Sequence, residues 1–138
     1  MEFAKDYDYV DVSTGWVNND KDAYEISNEN GTLTVKKNES WVNNANETQN
    51  TDWCFIKKEL NVTADKYTTL VIEFTGDVAG QELIFALGTK EAKPFTNGER
   101  QYVEIAVEKI AANELLKIFV NPGKSGSCTL VITDMYLK

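Results

Sequence analysis

Two tryptophans bracket one of the most polar stretches of the chain, "SWVNNANETQNTDW", with Trp41 near its start and Trp53 at its end. Tryptophan gains a great deal from leaving water, so an asparagine-laden segment that carries two of them needs an explanation. Phe55, Tyr102 and Phe119 recur in strand-like runs, each alternating with apolar neighbours, and Lys57, Glu73, Glu104, Lys117 and Asn121 fall on the same outward positions. Flat rings bordered by amides, carboxylates and ammonium groups suit a ligand with a C–H face and a rim of hydroxyls. The ring stacks on the face, while side chains that donate or accept grip the rim. That is the chemistry of a pyranose. The candidate ligand-binding residues are Trp41, Trp53, Phe55, Tyr102, Glu104, Phe119 and Asn121. The same rings also suit a second apolar layer, with Trp41 folded back as a lid on the core, and the sequence leaves both arrangements open.

Other chemistries are harder to assemble. Glycoside cleavage uses a pair of carboxylates, and Glu73 and Glu104 share an outward face. The chain has no histidine, however, which removes the commonest general base and imidazole ligand. No catalytic residue is assigned, and the domain is not expected to be an enzyme. Cys54 and Cys128 lack C-x-x-C spacing, which excludes a zinc or redox motif. They form either one disulfide or two buried thiols. Calcium takes carboxylate and carbonyl oxygens from separate segments, and Asp6, Asp8 and Asp11 beside Asp134 would suit it, although no D-x-D-x-D-G loop occurs. Asp134 interrupts an apolar strand at inward parity, where a carboxylate needs a cation or backbone N–H groups as partner. A structural Ca2+ bound by Asp134 is therefore an expectation. The sequons at Asn30, Asn38, Asn46 and Asn61 read as a consequence of composition.

The elements that must position these residues are strands. Short β-branched and aromatic runs lie near 7–12, 23–27, 32–36, 53–60, 69–75, 82–87, 101–107, 116–120 and 127–137. Asn30-Gly31 marks a tight hairpin, and "TGDVAGQ" and "NPGKSGS" are further turns. Only "VEKIAANELLK" has a helical look, as a short connector helix or a loop. Alternation assigns Leu70, Ile72, Phe74, Leu83, Phe85, Leu87, Val103, Ile105 and Val107 to inner faces, with Cys54, Ile56, Leu60, Cys128, Leu130 and Ile132. The fold expected is all-β: a two-sheet antiparallel sandwich of jelly-roll type, one domain over residues 1–138.

Bulk properties narrow the partners. At 138 residues one domain is the default, long enough to bury roughly two-thirds of its unfolded surface. A net charge of −8 argues against nucleic acid, whose phosphates need a basic patch. Apolar runs such as "LIFAL" are too short to span a bilayer, so no membrane partner is expected. "MEFAKDYDYV" has acidic residues where a signal peptide needs a basic start and an apolar run. The expectation is a monomeric domain excised from a longer secreted chain.

Three stretches resemble a known group of proteins. The opening "STGW", with Gly15 and Trp16, the central "FIKKEL…YTTLVIEF" and the closing "CTLVITDMYLK", with Ile132, Asp134 and Leu137, are similar to jelly-roll carbohydrate-binding modules appended to bacterial xylanases and mannanases, most of all the xylan-binding family 86. The resemblance implies a non-catalytic, extracellular module that binds a plant polysaccharide along a groove and keeps an attached glycoside hydrolase near it. Xylan is favoured over mannan and β-glucan; a structural or adhesive spacer of a cell-surface protein is the alternative. It also implies a structural calcium at Asp134 and sugar stacking on Trp41, Trp53 and Tyr102, extended by Phe119 and Phe55.

Overall fold

Period-two alternation builds two antiparallel sheets that close on each other through their apolar faces. The computed structural model describes residues 8–60, 67–77, 79–107 and 114–138. In chain order the strands are β1 (Asp8–Tyr9), β2 (Val17–Asn18), β3 (Tyr24–Glu29), β4 (Thr32–Lys37), β5 (Ser40–Val42), β6 (Thr48–Asn50), β7 (Ile56–Leu60), β8 (Thr69–Gly76), β9 (Leu83–Leu87), β10 (Lys90–Ala92), β11 (Gln101–Ala106), β12 (Glu114–Val120) and β13 (Cys128–Leu137). The first sheet runs β11-β8-β13-β4-β3, and β1 pairs with the far end of β13. The second runs β10-β9-β12-β7-β2, while β5 and β6 form a separate hairpin. The all-β antiparallel sandwich is as expected.

The inner faces carry the residues that alternation assigns to them. Leu33, Val35, Leu70, Ile72, Phe74, Leu130 and Ile132 of the first sheet are fully buried, as are Ile56, Leu83, Phe85, Leu87, Leu116 and Ile118 of the second. Phe74 and Phe85 meet across the interface with centroids 5.3 Å apart. Each buried side chain of this size contributes about 1.5–3 kcal/mol. The β3–β4 hairpin turns on Asn30 and Gly31, both at positive φ (52° and 79°), the two-residue turn that matches strand twist. Cys54 and Cys128 are buried on inner faces as free thiols; burial pushes the Cys54 thiol up to about 12.

Several elements differ from the sequence reading. The stretch between 36 and 53, expected as a loop, contains the β5–β6 hairpin, and the first expected strand is limited to Asp8–Tyr9 within the described residues. β12 begins at Glu114; residues 108–113 of the expected helix or loop, Asn61 and Asp6 lie outside the described residues. β13 slips register between Ile132 and Asp134. That bulge turns Met135 into the core, where it is fully buried, and moves the half-buried Asp134 to the outer face. The inward position expected for Asp134 is therefore corrected: one extra residue inverts the alternation beyond it.

Two lysines occupy inner-face positions. Lys37 follows Leu33 and Val35 on β4 and is completely buried. Its ammonium donates to the carbonyls of Val120 (2.9 Å), Asn121 (3.0 Å) and Lys124 (2.8 Å), which uses all three of its protons. The end of the first sheet is thereby fastened to the turn after β12 in the second. Burial pulls the Lys37 pKa down. Tyr24 adds a parallel tie, its hydroxyl donating to the Cys54 carbonyl (2.9 Å) and accepting from the Val120 N–H (3.1 Å). Lys58 is likewise buried and donates to the carbonyls of Asp11 and Thr14. Asp11 accepts from Thr14 and Ser13, which holds its carboxyl at about 2.

Lys37→Met keeps the apolar stem but leaves three inward carbonyls without their donor. The expected loss is about 3 kcal/mol of stability, read as a lower urea midpoint at unchanged m-value. An unaltered midpoint would contradict this account of Lys37.

Candidate functional site

The outer face of the second sheet carries an aromatic surface in cross-strand rows. One row runs through Ile84 and Phe119, paired on neighbouring strands, and Phe55 stands beside Phe119 with centroids 4.8 Å apart at 40°. Lys117 Nζ sits 5.2 Å from the Phe55 centroid, a cation over the electron-rich ring face. The next row pairs Glu91, Ala86, Lys117, Lys57 and Val17, and Lys57 donates to the Asn19 amide oxygen at 3.2 Å. At the other edge the ladder continues past β9: Glu82 bridges to Phe95, and the Asn121 N–H donates to the Glu82 carbonyl at 2.7 Å. Phe95, bridged to Glu82, and Trp53, in the turn before β7, are 61% and 63% exposed.

Trp53 lies against the turn after β12. A Cβ at Gly123 would stand 3.5 Å from its ring, and Gly123 adopts φ +78°, where a side chain is strained. The Gly123 N–H donates to the Asp52 carbonyl at 2.8 Å, and Ser125 Oγ donates to the Asp52 carboxylate at 2.6 Å. The turn carrying Gly123 is the one that Lys37 clasps through Val120, Asn121 and Lys124. The indole ring thus touches the turn while most of the residue stays open to water.

The residues expected to form one site fall in three places. Trp53, Phe55, Phe119 and Asn121 come together on the second sheet, as the shared outward positions imply. Trp41 does not join them. Its half-buried ring packs against the core from the β5–β6 hairpin, and its indole N–H donates to the Asn50 carbonyl at 3.0 Å; this is the folded-back arrangement. Tyr102 and Glu104 lie on β11 of the first sheet, facing outward on the opposite side of the sandwich. Alternation tells which side of its own strand a residue takes, not which sheet the strand joins.

Phe95 and Glu82 belong to the surface although the sequence reading passed over Phe95. The signal available was the continued pairing of "ELIFAL" with the segment through "KPF", which carries the β9–β10 ladder to Phe95.

The carboxylates considered for chemistry are already engaged. Arg100 pairs with Glu73 at 3.2 Å and with Asp134, and Lys138 pairs with Glu104 at 2.9 Å. Among the described residues no three Asp, Glu, Cys or His side chains form a cluster able to hold a metal. Asp8 accepts from Tyr67, Asp11 from Ser13 and Thr14, and Asp134 faces a guanidinium. Of the expected calcium donors, Asp8, Asp11 and Asp134 thus each already have a protein partner, and Asp6 lies outside the described residues.

No family model and no curated protein matches the sequence. Among solved structures, the chain is similar to a variant of a family 29 carbohydrate-binding module complexed with cellulohexaose, at 10% identity over 95% of this chain and 89% of that one, with a TM-score of 0.60. A second variant, complexed with mannohexaose, matches at 9% identity over the same shares, with a TM-score of 0.59. A family two carbohydrate esterase from Cellvibrio japonicus also matches, at 9% identity and a TM-score of 0.56, over 95% of this chain and 33% of that one. At these identities the shared property is the fold.

Trp53 is the exposed indole of the three, with Trp16 buried and Trp41 half-buried. Trp53→Phe should therefore remove most of the acrylamide-quenchable fluorescence of the folded protein. Unchanged quenching would contradict the placement of Trp53.

Proposed function

We propose that the domain is a non-catalytic polysaccharide-binding module that seats a neutral glycan chain across the outer face of its second sheet. One observation carries this reading: Trp53 lies against Gly123 yet is 63% exposed, on the side of the sandwich that also carries Phe55, Phe119 and the exposed Phe95. Exposed rings that cannot fold inward are stabilised by stacking on a ligand with an apolar face. Asn121, Glu82, Asn19, Lys57 and Lys117 border the rings and supply donors and acceptors for hydroxyls.

The fold neighbours complexed with cellulohexaose and mannohexaose support a hexose-based chain, glucan or mannan, while the family 86 resemblance supports xylan; all three are on the panel to be tested. Affinity is expected between micromolar and millimolar, with neighbouring modules of a longer secreted, hydrolase-bearing chain supplying avidity to a monomeric domain.

Affinity electrophoresis through gels containing soluble β-glucan, mannan or xylan is the test. The wild type should be retarded by at least one polymer, and Trp53→Ala should weaken binding about tenfold or more, about 1.4 kcal/mol. Retardation by none would overturn the proposal in favour of a structural spacer, and release of reducing ends by the purified domain would overturn its non-catalytic character.

A further inference from the structure

The first sheet also presents rings and polar groups to water, on the side facing away from Trp53. β13 and β8 set Asp134 beside Glu73, and β8 and β11 set Glu73 beside Tyr102. The neighbouring row runs Tyr9, Tyr136, Val71, Glu104. Tyr9 and Tyr102 are 65% and 64% exposed, and Tyr9 meets Tyr136 edge-on, with centroids 6.4 Å apart at 75°. A cleft of about 370 Å3 opens between them, lined by Tyr9, Tyr136, Glu73 and Asp134. This is near the lower bound of small-ligand clefts, about 300–1,000 Å3.

The bulge in β13 is what brings Asp134 here. Regular alternation would send that carboxylate into the core, and bulges commonly re-aim side chains beside functional sites. Arg100 spans Glu73 and Asp134 and orients both. A carboxylate has about four acceptor positions, more than one guanidinium fills, so acceptor capacity remains for hydroxyl donors.

We propose that this cleft is a second glycan site, taking one or two neutral sugar rings against Tyr9 or Tyr102 with hydroxyls held by Glu73, Asp134 and Arg100. Charge decides the ligand class. Glu73, Asp134 and Glu104 disfavour an anion, and a cation would have to displace Arg100 or Lys138, which already neutralise them. A neutral polyol donates to the carboxylates and accepts from the guanidinium without disrupting the network. The site shares a ligand class with the Trp53 surface but no residue with it. Two sites on opposite faces would allow one domain to bridge two chains.

The test repeats the affinity gels with Trp53→Ala, with the pair Tyr102→Ala and Glu73→Gln, and with all three together, each checked for folding by circular dichroism. Residual retardation of Trp53→Ala, competed by a disaccharide of the same sugar and abolished in the triple variant, is the expected result. Complete loss of retardation in Trp53→Ala would overturn the second site and leave the first standing. Full retardation of Trp53→Ala with loss in the Tyr102 and Glu73 pair would support the second site and overturn the first. A wild type retarded by no polymer would overturn both.

Discussion

The Lys37 ammonium and its three carbonyls are the interaction on which the rest depends. A fully buried cation is tolerated only where every proton finds an acceptor, and here the acceptors come from the last residue of β12 and the turn that follows it. The contact joins the two sheets at one end of the sandwich and sets the shape of that turn. Gly123, in the same turn, then carries Trp53. A buried electrostatic tie in the core thus reaches the turn against which an exposed ring lies.

Sealing of the inner faces has a second consequence. With the facing positions of both sheets filled by Leu, Ile, Val and Phe, outward aromatics have no interior to enter. Phe55 and Phe119 reduce their exposed area by packing on each other and under Lys117. Trp53, Phe95, Tyr9 and Tyr102 each remain more than 60% exposed. Persistent exposure of four large rings on two faces is the physical feature that the sugar-binding reading explains.

Much of the sandwich was legible in the sequence because alternation reports burial directly. The Asn30-Gly31 turn, the inner faces of "TLVIEFT", "ELIFAL" and "QYVEIAV", and the inward cysteines all follow from local rules. Asp134 did not, because a bulge adds a residue without any glycine or proline to announce it. The division of Tyr102 from Trp53 was hidden for another reason: sheet membership is decided by long-range pairing. Lys37 was within reach, since "LTVKK" places its last residue at the parity of Leu33 and Val35, but a charged side chain at an inner position is recognised only once its acceptors are seen.

The most direct measurement is a titration of the 15N-labelled domain with mannohexaose or cellohexaose, followed through the three indole N–H resonances. The Trp16 and Trp41 indoles already donate to the Val12 and Asn50 carbonyls and should hold their positions. The Trp53 signal should move progressively with ligand and saturate. A stationary Trp53 signal beside a moving Trp41, or three stationary signals at millimolar sugar, would contradict the placement of the glycan on the second sheet.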